Sequence, residues 1–311
     1  MQKKYVLLFP GQGSQSVGMG NDLCSEFQEM KSTFEEASDT LGFNMSRLCF
    51  EDPEGKLNLT EFTQPAILTL STAIFRTLNA HMQLDFELVA GHSLGEYSAL
   101  VSIGALKFAD ALKSVHFRGQ AMQRAVPVGV GAMAAYLGNK CDEIPSICKE
   151  ISTQNNVVEV VNFNSSGQLV LSGNKLAVEQ ACSVIAEKKL GKAKTLPVSA
   201  PFHSSLMKPA AVEMSKFLQN IPLQSFDKKI VANVDAKTHT STTYTKEILV
   251  KQIASPVLWT QTLTNIYSQN SETVWIEVGP GKVLKGLANK TVESANCLTT
   301  NDFTAVKELL N

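Results

Sequence analysis

A short apolar run, Leu88-Val89-Ala90, enters Gly91-His92-Ser93-Leu94-Gly95 and leaves it as the helix-compatible stretch Glu96-Tyr97-Ser98-Ala99-Leu100-Val101. Strand, tight turn and helix in that order restrict the chain to folds in which a strand end feeds a helix packed back onto the sheet. They also give the glycine-flanked serine the form of a nucleophile elbow. The residue types follow from the geometry. A sharp turn forces the serine into a strained backbone conformation and exposes its hydroxyl, while strand and helix approach so closely that the flanking positions must be tiny. The helix beginning just past the serine offers free N–H groups and a positive dipole end to a developing oxyanion, with the Leu94 N–H as first donor. Ser93 is therefore the candidate nucleophile.

Around this turn, strands and helices alternate. A strand over residues 5–9 runs into Gly11-Gln12-Gly13-Ser14-Gln15, and a helix is expected over 65–80. The helix over 108–125 carries Phe108, Leu112, Val115, Gly119 and Met122 along one stripe at helical spacing. Pro127, Gly129 and Gly131 then mark a boundary. Beyond it the pattern reads strand 132–137, helix 142–152, strand 157–162, the turn Asn164-Ser165-Ser166-Gly167, strand 168–171, helix 176–189 and strand 194–199. That β-α-β-β-α-β order predicts a ferredoxin-like split βαβ insert. Afterwards come helix 204–220, strand 229–234, helices 245–254 and 259–270, strand 273–278 and a helix from Lys282. The expected architecture is one large α/β-hydrolase-like domain with a parallel sheet, residues 1–125 and 201–311, interrupted by a small ferredoxin-like domain over 126–200.

Composition removes several alternatives. The net charge of −1 provides no global electrostatic case for nucleic acid or membrane binding, and no stretch approaches the ~18 apolar residues of a membrane span. Six scattered cysteines contain no Cys-x-x-Cys pair, so neither a zinc site nor a disulfide framework is indicated and a reducing, cytoplasmic setting is expected. The Gly-Gln-Gly loop is a poor dinucleotide fingerprint, since the third glycine would fall at Ser16.

A serine hydroxyl needs a base. Of the five histidines, His92 is expected to point away from Ser93 within the tight turn, and solvent or core readings suffice for His81, His116 and His239. His203 follows Ala200-Pro201-Phe202, a rigid loop of the kind that holds a functional side chain at a sheet end. Arg118 lies at the edge of the buried stripe of its helix, where its helical neighbours offer no acid, so it requires a distant carboxylate, a carbonyl or a ligand anion.

These residues match a known family. Phe9-Pro10-Gly11-Gln12-Gly13-Ser14-Gln15, Gly91-His92-Ser93-Leu94-Gly95-Glu96, Arg118-Gly119, Val161-Asn162-Phe163-Asn164-Ser165, Pro201-Phe202-His203, Asn233-Val234-Asp235, Gln252 and Glu277-Val278-Gly279-Pro280-Gly281 occur in the order found in malonyl-CoA:acyl carrier protein transacylases. The chain resembles that family over essentially its full length. The resemblance implies a ping-pong reaction in fatty acid biosynthesis. Ser93 would take the malonyl group from malonyl-CoA, and the phosphopantetheine thiol of holo acyl carrier protein would collect it, with no bound cofactor or metal.

By the same resemblance, His203 would be base and then acid, the N–H groups of Gln12 and Leu94 the oxyanion hole, and Arg118 the bidentate partner of the malonyl carboxylate. A main-chain carbonyl near Gln252 would orient the histidine, although the residues alone leave Asp235 and Glu277 open as third acids. Gln252 and Asn162 would line the malonyl site. Phe202 stands where many bacterial members carry a smaller residue, and its bulk favours malonyl over α-methylated groups by ~1–3 kcal/mol. Docking charges for the acidic carrier are sought among Lys188, Lys189, Lys192, Lys194, Lys282 and Lys285, with Lys189 and Lys285 the chosen pair. A serine thioesterase or esterase using the same elbow, and a polyketide-type acyltransferase taking other extender units, are the alternatives.

Overall fold

The computed structural model describes residues 4–82, 84–198, 200–269 and 271–311. Ser199 and Asn270, the expected ends of the strand at 194–199 and the helix at 259–270, lie outside the described residues.

Among the described residues ten strands form two sheets: β1 Tyr5–Phe9, β2 Phe86–Gly91, β3 Gly131–Leu137, β4 Val158–Ser165, β5 Gln168–Asn174, β6 Lys192–Thr195, β7 Lys229–Val231, β8 Thr238–His239, β9 Val274–Glu277 and β10 Cys297–Thr299. The large sheet has the order β10-β9-β1-β2-β7-β8. Its first five strands are parallel and β8 closes one edge antiparallel to β7. Every residue of β1 is buried, as a parallel strand covered on both faces requires. The pleat divides it, with Tyr5, Leu7 and Phe9 in one hydrophobic cluster and Val6 and Leu8 in the other.

β3, β4, β5 and β6 form a second, wholly antiparallel sheet of order β4-β5-β3-β6. One face is covered by the helices Ile144–Ile151 and Lys175–Glu187, giving this unit its own core around Ala134, Tyr136, Leu171 and Ile185. Residues of the other face, among them Met133, Ala135 and Val170, line a cleft against the large unit. A β-bulge between Val160 and Asn162 re-aims β4 as it reaches that cleft. The two connections between the units pack tightly, since a Cβ on Gly131 would come within 2.3 Å of the Pro201 ring.

Several expectations shift. The helix expected from residue 65 begins at Thr60 and runs through Pro65 to His81. Three helices, Asn21–Glu26, Gln28–Leu41 and Met45–Phe50, and the short strands β8 and β10 carried no clear pattern in the sequence. β4 extends to Ser165, which carries Asn164 into the strand already expected to hold Asn162 instead of leaving it in a turn.

Candidate active site

The turn after β2 is held by contacts that only glycine permits. A Cβ on Gly91 would lie 1.9 Å from the Gly95 carbonyl, and one on Gly95 would lie 2.1 Å from the Phe9 oxygen. Ser93 has φ of 52°, the left-handed region in which a non-glycine residue costs ~1–3 kcal/mol. Asn233 offsets that cost from 140 residues away: its Oδ1 accepts from the Ser93 N–H at 2.7 Å and its Nδ2 donates to the Gly91 carbonyl at 2.7 Å.

His203 also has a positive φ, 62°, so the candidate nucleophile and the candidate base both sit on strained backbone. Its Nε2 lies 2.7 Å from Ser93 Oγ. Nδ1 lies 2.8 Å from the Gln252 main-chain carbonyl. A carbonyl only accepts, so Nδ1 carries the proton and Nε2 is left as the acceptor facing the serine hydroxyl. Burial above all, with Arg118 adding to it, pushes the imidazole down to about 3. Neither acid left open by the sequence reaches it. Asp235 pairs with His239 at 3.1 Å. Glu277 accepts from the Leu284 and Lys285 N–H groups at 3.0 and 2.8 Å, capping the helix Val283–Thr291.

Arg118 is buried. Its Nη1 donates to Gln64 Oε1 at 2.8 Å, and its Nη2 to Gln252 Oε1 at 2.9 Å and to Ser93 Oγ at 3.1 Å. Among the described residues no carboxylate forms an ion pair with it, and its Nε has no partner. Glu96, also buried, spends its carboxylate on Tyr244 Oη, Gln252 Nε2 and the Asn233 N–H. A buried guanidinium held by neutral amides beside the Ser93 hydroxyl has capacity for an anionic ligand group.

The Gly-Gln-Gly loop leaves β1 and approaches the elbow so closely that a Cβ on Gly11 would lie 2.5 Å from the His92 oxygen. Ser14 Oγ braces the loop on the Gly11 carbonyl at 2.7 Å, and Gln12 Nε2 reaches Thr60 Oγ1 at 3.2 Å. Gln12, Asn162, Phe202, Ser93, His203 and Arg118 all line one cleft of about 670 Å³ at the carboxyl ends of β1 and β2, where open α/β sheets bind ligands. His92 turns away from Ser93 and bonds Asn164 Oδ1 at 2.9 Å, its ring edge-on to Trp259. Asn162 Nδ2 stands 3.4 Å from the same imidazole. Lys285 stands on the helix whose Val283, Leu284 and Leu287 line the cleft mouth. Lys189 follows the helix Lys175–Glu187 on the opposite face of the small sheet, whereas Lys192 and Lys194, paired with Leu137 and Ala135, share the cleft face.

Gln64, Glu96, Asn233 and Tyr244 were not singled out as site residues. Glu96 and Asn233 do stand inside quoted motifs, which was their signal. Gln64 and Tyr244 had none, being single polar residues that chain folding buries beside Arg118 and Glu96.

The sequence profile of the acyl transferase domain matches residues 6–306. The chain is 45% identical over 312 residues, 99% of each chain, to the malonyl CoA-acyl carrier protein transacylase of Haemophilus influenzae. Its fold matches the crystal structure of the acyl-carrier-protein S-malonyltransferase of Burkholderia pseudomallei with a TM-score of 0.94, 43% identity and 99% of each chain covered. It also matches the structure of a type II PKS acyl-carrier protein in complex with its malonyl-transacylase, with a TM-score of 0.95, 41% identity and 99% of each chain covered.

Proposed function

The chain belongs to the acyl transferase domain family, and from that premise we propose that it transfers a malonyl group from malonyl-CoA to the phosphopantetheine thiol of holo acyl carrier protein, in fatty acid biosynthesis. The observation that carries this reading is Arg118, a buried guanidinium without a carboxylate partner among the described residues, 3.1 Å from Ser93 Oγ. An acyl group ending in a carboxylate supplies the missing anion.

The steps follow from the distances. His203 Nε2 takes the Ser93 proton as Oγ attacks the thioester carbonyl carbon. The oxyanion forms against the N–H groups of Gln12 and Leu94, which donate to no other acceptor among the described residues. The intermediate collapses, the C–S bond breaks, and His203 returns its proton to the departing CoA sulfur. In the second half the carrier thiol gives its proton to His203, its sulfur attacks the Ser93 ester, and Oγ leaves with that proton. The Gln252 carbonyl replaces the acid of a triad as the group that orients the imidazole. Malonyl-CoA is a substrate in this scheme, and the balance of atoms calls for no bound cofactor or metal. Phe202 and Asn162 line the acyl site, and Lys285 beside the cleft mouth, with Lys192 and Lys194 on the cleft face of the small sheet, are the docking charges for the carrier. Lys189, expected to join Lys285, lies on the opposite face of that sheet.

The strand order of the small sheet and its separate core support a ferredoxin-like insert over residues 126–200 in an α/β-hydrolase-like domain formed by 1–125 and 201–311. Six free cysteines support a reducing, cytoplasmic setting. Among the described residues no helix is long and apolar enough to cross a membrane.

The reading is tested by incubating the protein with malonyl-CoA and measuring its mass. A malonyl adduct that is lost in Ser93→Ala and discharged by holo carrier protein is expected. An adduct persisting in Ser93→Ala overturns the nucleophile assignment, and rapid release of free malonate without carrier turns the reading toward a thioesterase.

A further inference from the structure

Gln252 holds both halves of the site. Its main-chain carbonyl orients His203, and its side-chain oxygen accepts from Arg118 Nη2 at 2.9 Å. A primary amide can present either oxygen or nitrogen in the same direction, and a flip would set two donors against each other at Arg118. Something must therefore fix which end faces the guanidinium. The Gln252 nitrogen donates to the Ser93 carbonyl at 3.0 Å and to Glu96 Oε2 at 2.7 Å. Glu96 is three residues beyond the nucleophile on the helix Gly95–Ser102 and is fully buried.

We infer that Glu96 is a positioning residue, whose carboxylate accepts from the Gln252 amide and so keeps the amide oxygen on Arg118 in the orientation that receives the acyl carboxylate. Three donors converge on Glu96: the Gln252 amide and the Asn233 N–H at Oε2, and the Tyr244 hydroxyl at Oε1. That set suits an acceptor-only group. It also links the residue that clamps the elbow, Asn233, to the residue that aims Arg118. Burial pushes the Glu96 carboxyl up, and the three donated hydrogen bonds and Arg118 oppose it.

The inference rests on the reading of Arg118 as the acyl carboxylate's partner, and the experiment separates the two. The ratio of kcat/KM for malonyl-CoA to that for acetyl-CoA is measured in purified, folded variants. Arg118→Ala should lower the ratio more than about tenfold, and an unchanged ratio there overturns the reading of Arg118 itself. Glu96→Leu removes the closer and charged one of the two acceptors, leaving only the Ser93 carbonyl to hold the Gln252 amide against turning. The ratio should fall about tenfold, chiefly through KM for malonyl-CoA. Glu96→Gln is the conservative rescue. Its oxygen can take the Gln252 and Asn233 donors while its amide donates to Tyr244, whose hydroxyl can rotate to accept. The ratio should stay within about threefold of the parent. A residue that only fills the core would lower thermal stability in Glu96→Leu and leave the ratio unmoved, which overturns the inference. A fall in Glu96→Gln as large as in Glu96→Leu overturns it as well. Should Glu96→Leu not fold, Glu96→Ser and Glu96→Ala, which place no apolar bulk in the pocket, are read by the same ratio.

Discussion

His203 pairs two properties that follow from one environment. A proton added to its imidazole would be buried beside the Arg118 guanidinium, so the ring stays neutral and available as a base down to about pH 3. In the unfolded chain the same group titrates near 6.5. As pH falls below 6.5 the unfolded state gains a proton that the folded state refuses. The stability contributed is therefore full above 6.5 and is lost progressively toward 3. The loss attributable to this residue is about 1.4 kcal/mol per pH unit within that window. Urea unfolding of the parent and of His203→Asn between pH 6.5 and 4.5 should show the parent losing stability more steeply by that amount. Parallel slopes would mean that the folded protein accepts the proton after all.

At the scale of elements, the helices Thr60–His81 and Phe108–Arg124 place Gln64 beside Arg118, and they approach closely for two reasons. Gly119 has no Cβ, which would otherwise lie 2.6 Å from Glu61 Cα. Pro65 has no N–H, so the Glu61 carbonyl one turn earlier lacks its helical donor. The vacancy is filled across the interface by His116 Nδ1 at 2.8 Å, whose Nε2 in turn accepts from Gln120. A histidine assigned by its pattern to solvent or core thus completes the hydrogen bonding of a different helix. His116→Ala should cost about 1–3 kcal/mol by leaving a part-buried carbonyl unpaired. Because Pro65→Ala restores an N–H within the helix, His116→Ala should cost less in that background, and a double-mutant cycle by urea denaturation measures the difference. Strict additivity would show that the two residues do not share the Glu61 carbonyl.

For the whole molecule, the small sheet is stitched to the large unit as well as tethered by its two connections. Val257 donates to the Val161 carbonyl at 2.8 Å and accepts from the Phe163 N–H at 3.0 Å, and Thr260 Oγ1 donates to the Phe163 carbonyl at 2.9 Å. With Asn164 bonded to His92, both cleft walls bear on the turn that carries Ser93. A net charge of −1 leaves attraction of an acidic carrier to local charge at the cleft mouth. Reversing Lys189, on the opposite face of the small sheet, should change KM for neither holo carrier protein nor malonyl-CoA. Reversing Lys285 together with Lys192 and Lys194, which share the cleft side, should raise KM for holo carrier protein about three- to tenfold and leave KM for malonyl-CoA unchanged. Steady-state kinetics with each substrate varied in turn decides it, and unchanged carrier kinetics removes those lysines from the docking surface.

Ser93 and its glycines were legible without coordinates because the requirement they answer is local: a strand end, a left-handed residue and a helix start lie within a few residues, and sterics within that span select the side chains. Periodicity likewise located the helix at 108–125 and the alternation of the insert. What joins the site is of another kind. Ser93 meets His203 across 110 residues and Arg118 meets Gln252 across 134, distances over which no local rule states which group faces which. Order of motifs within a resembling family supplied those names, and packing alone set the contacts. Strand order, the short edge strands β8 and β10, the cap made by Glu277 and the convergence of three donors on Glu96 arise only once the chain is closed on itself. They depend on which buried polar groups remain to be satisfied there, a condition that exists in the folded state and has no counterpart along the sequence.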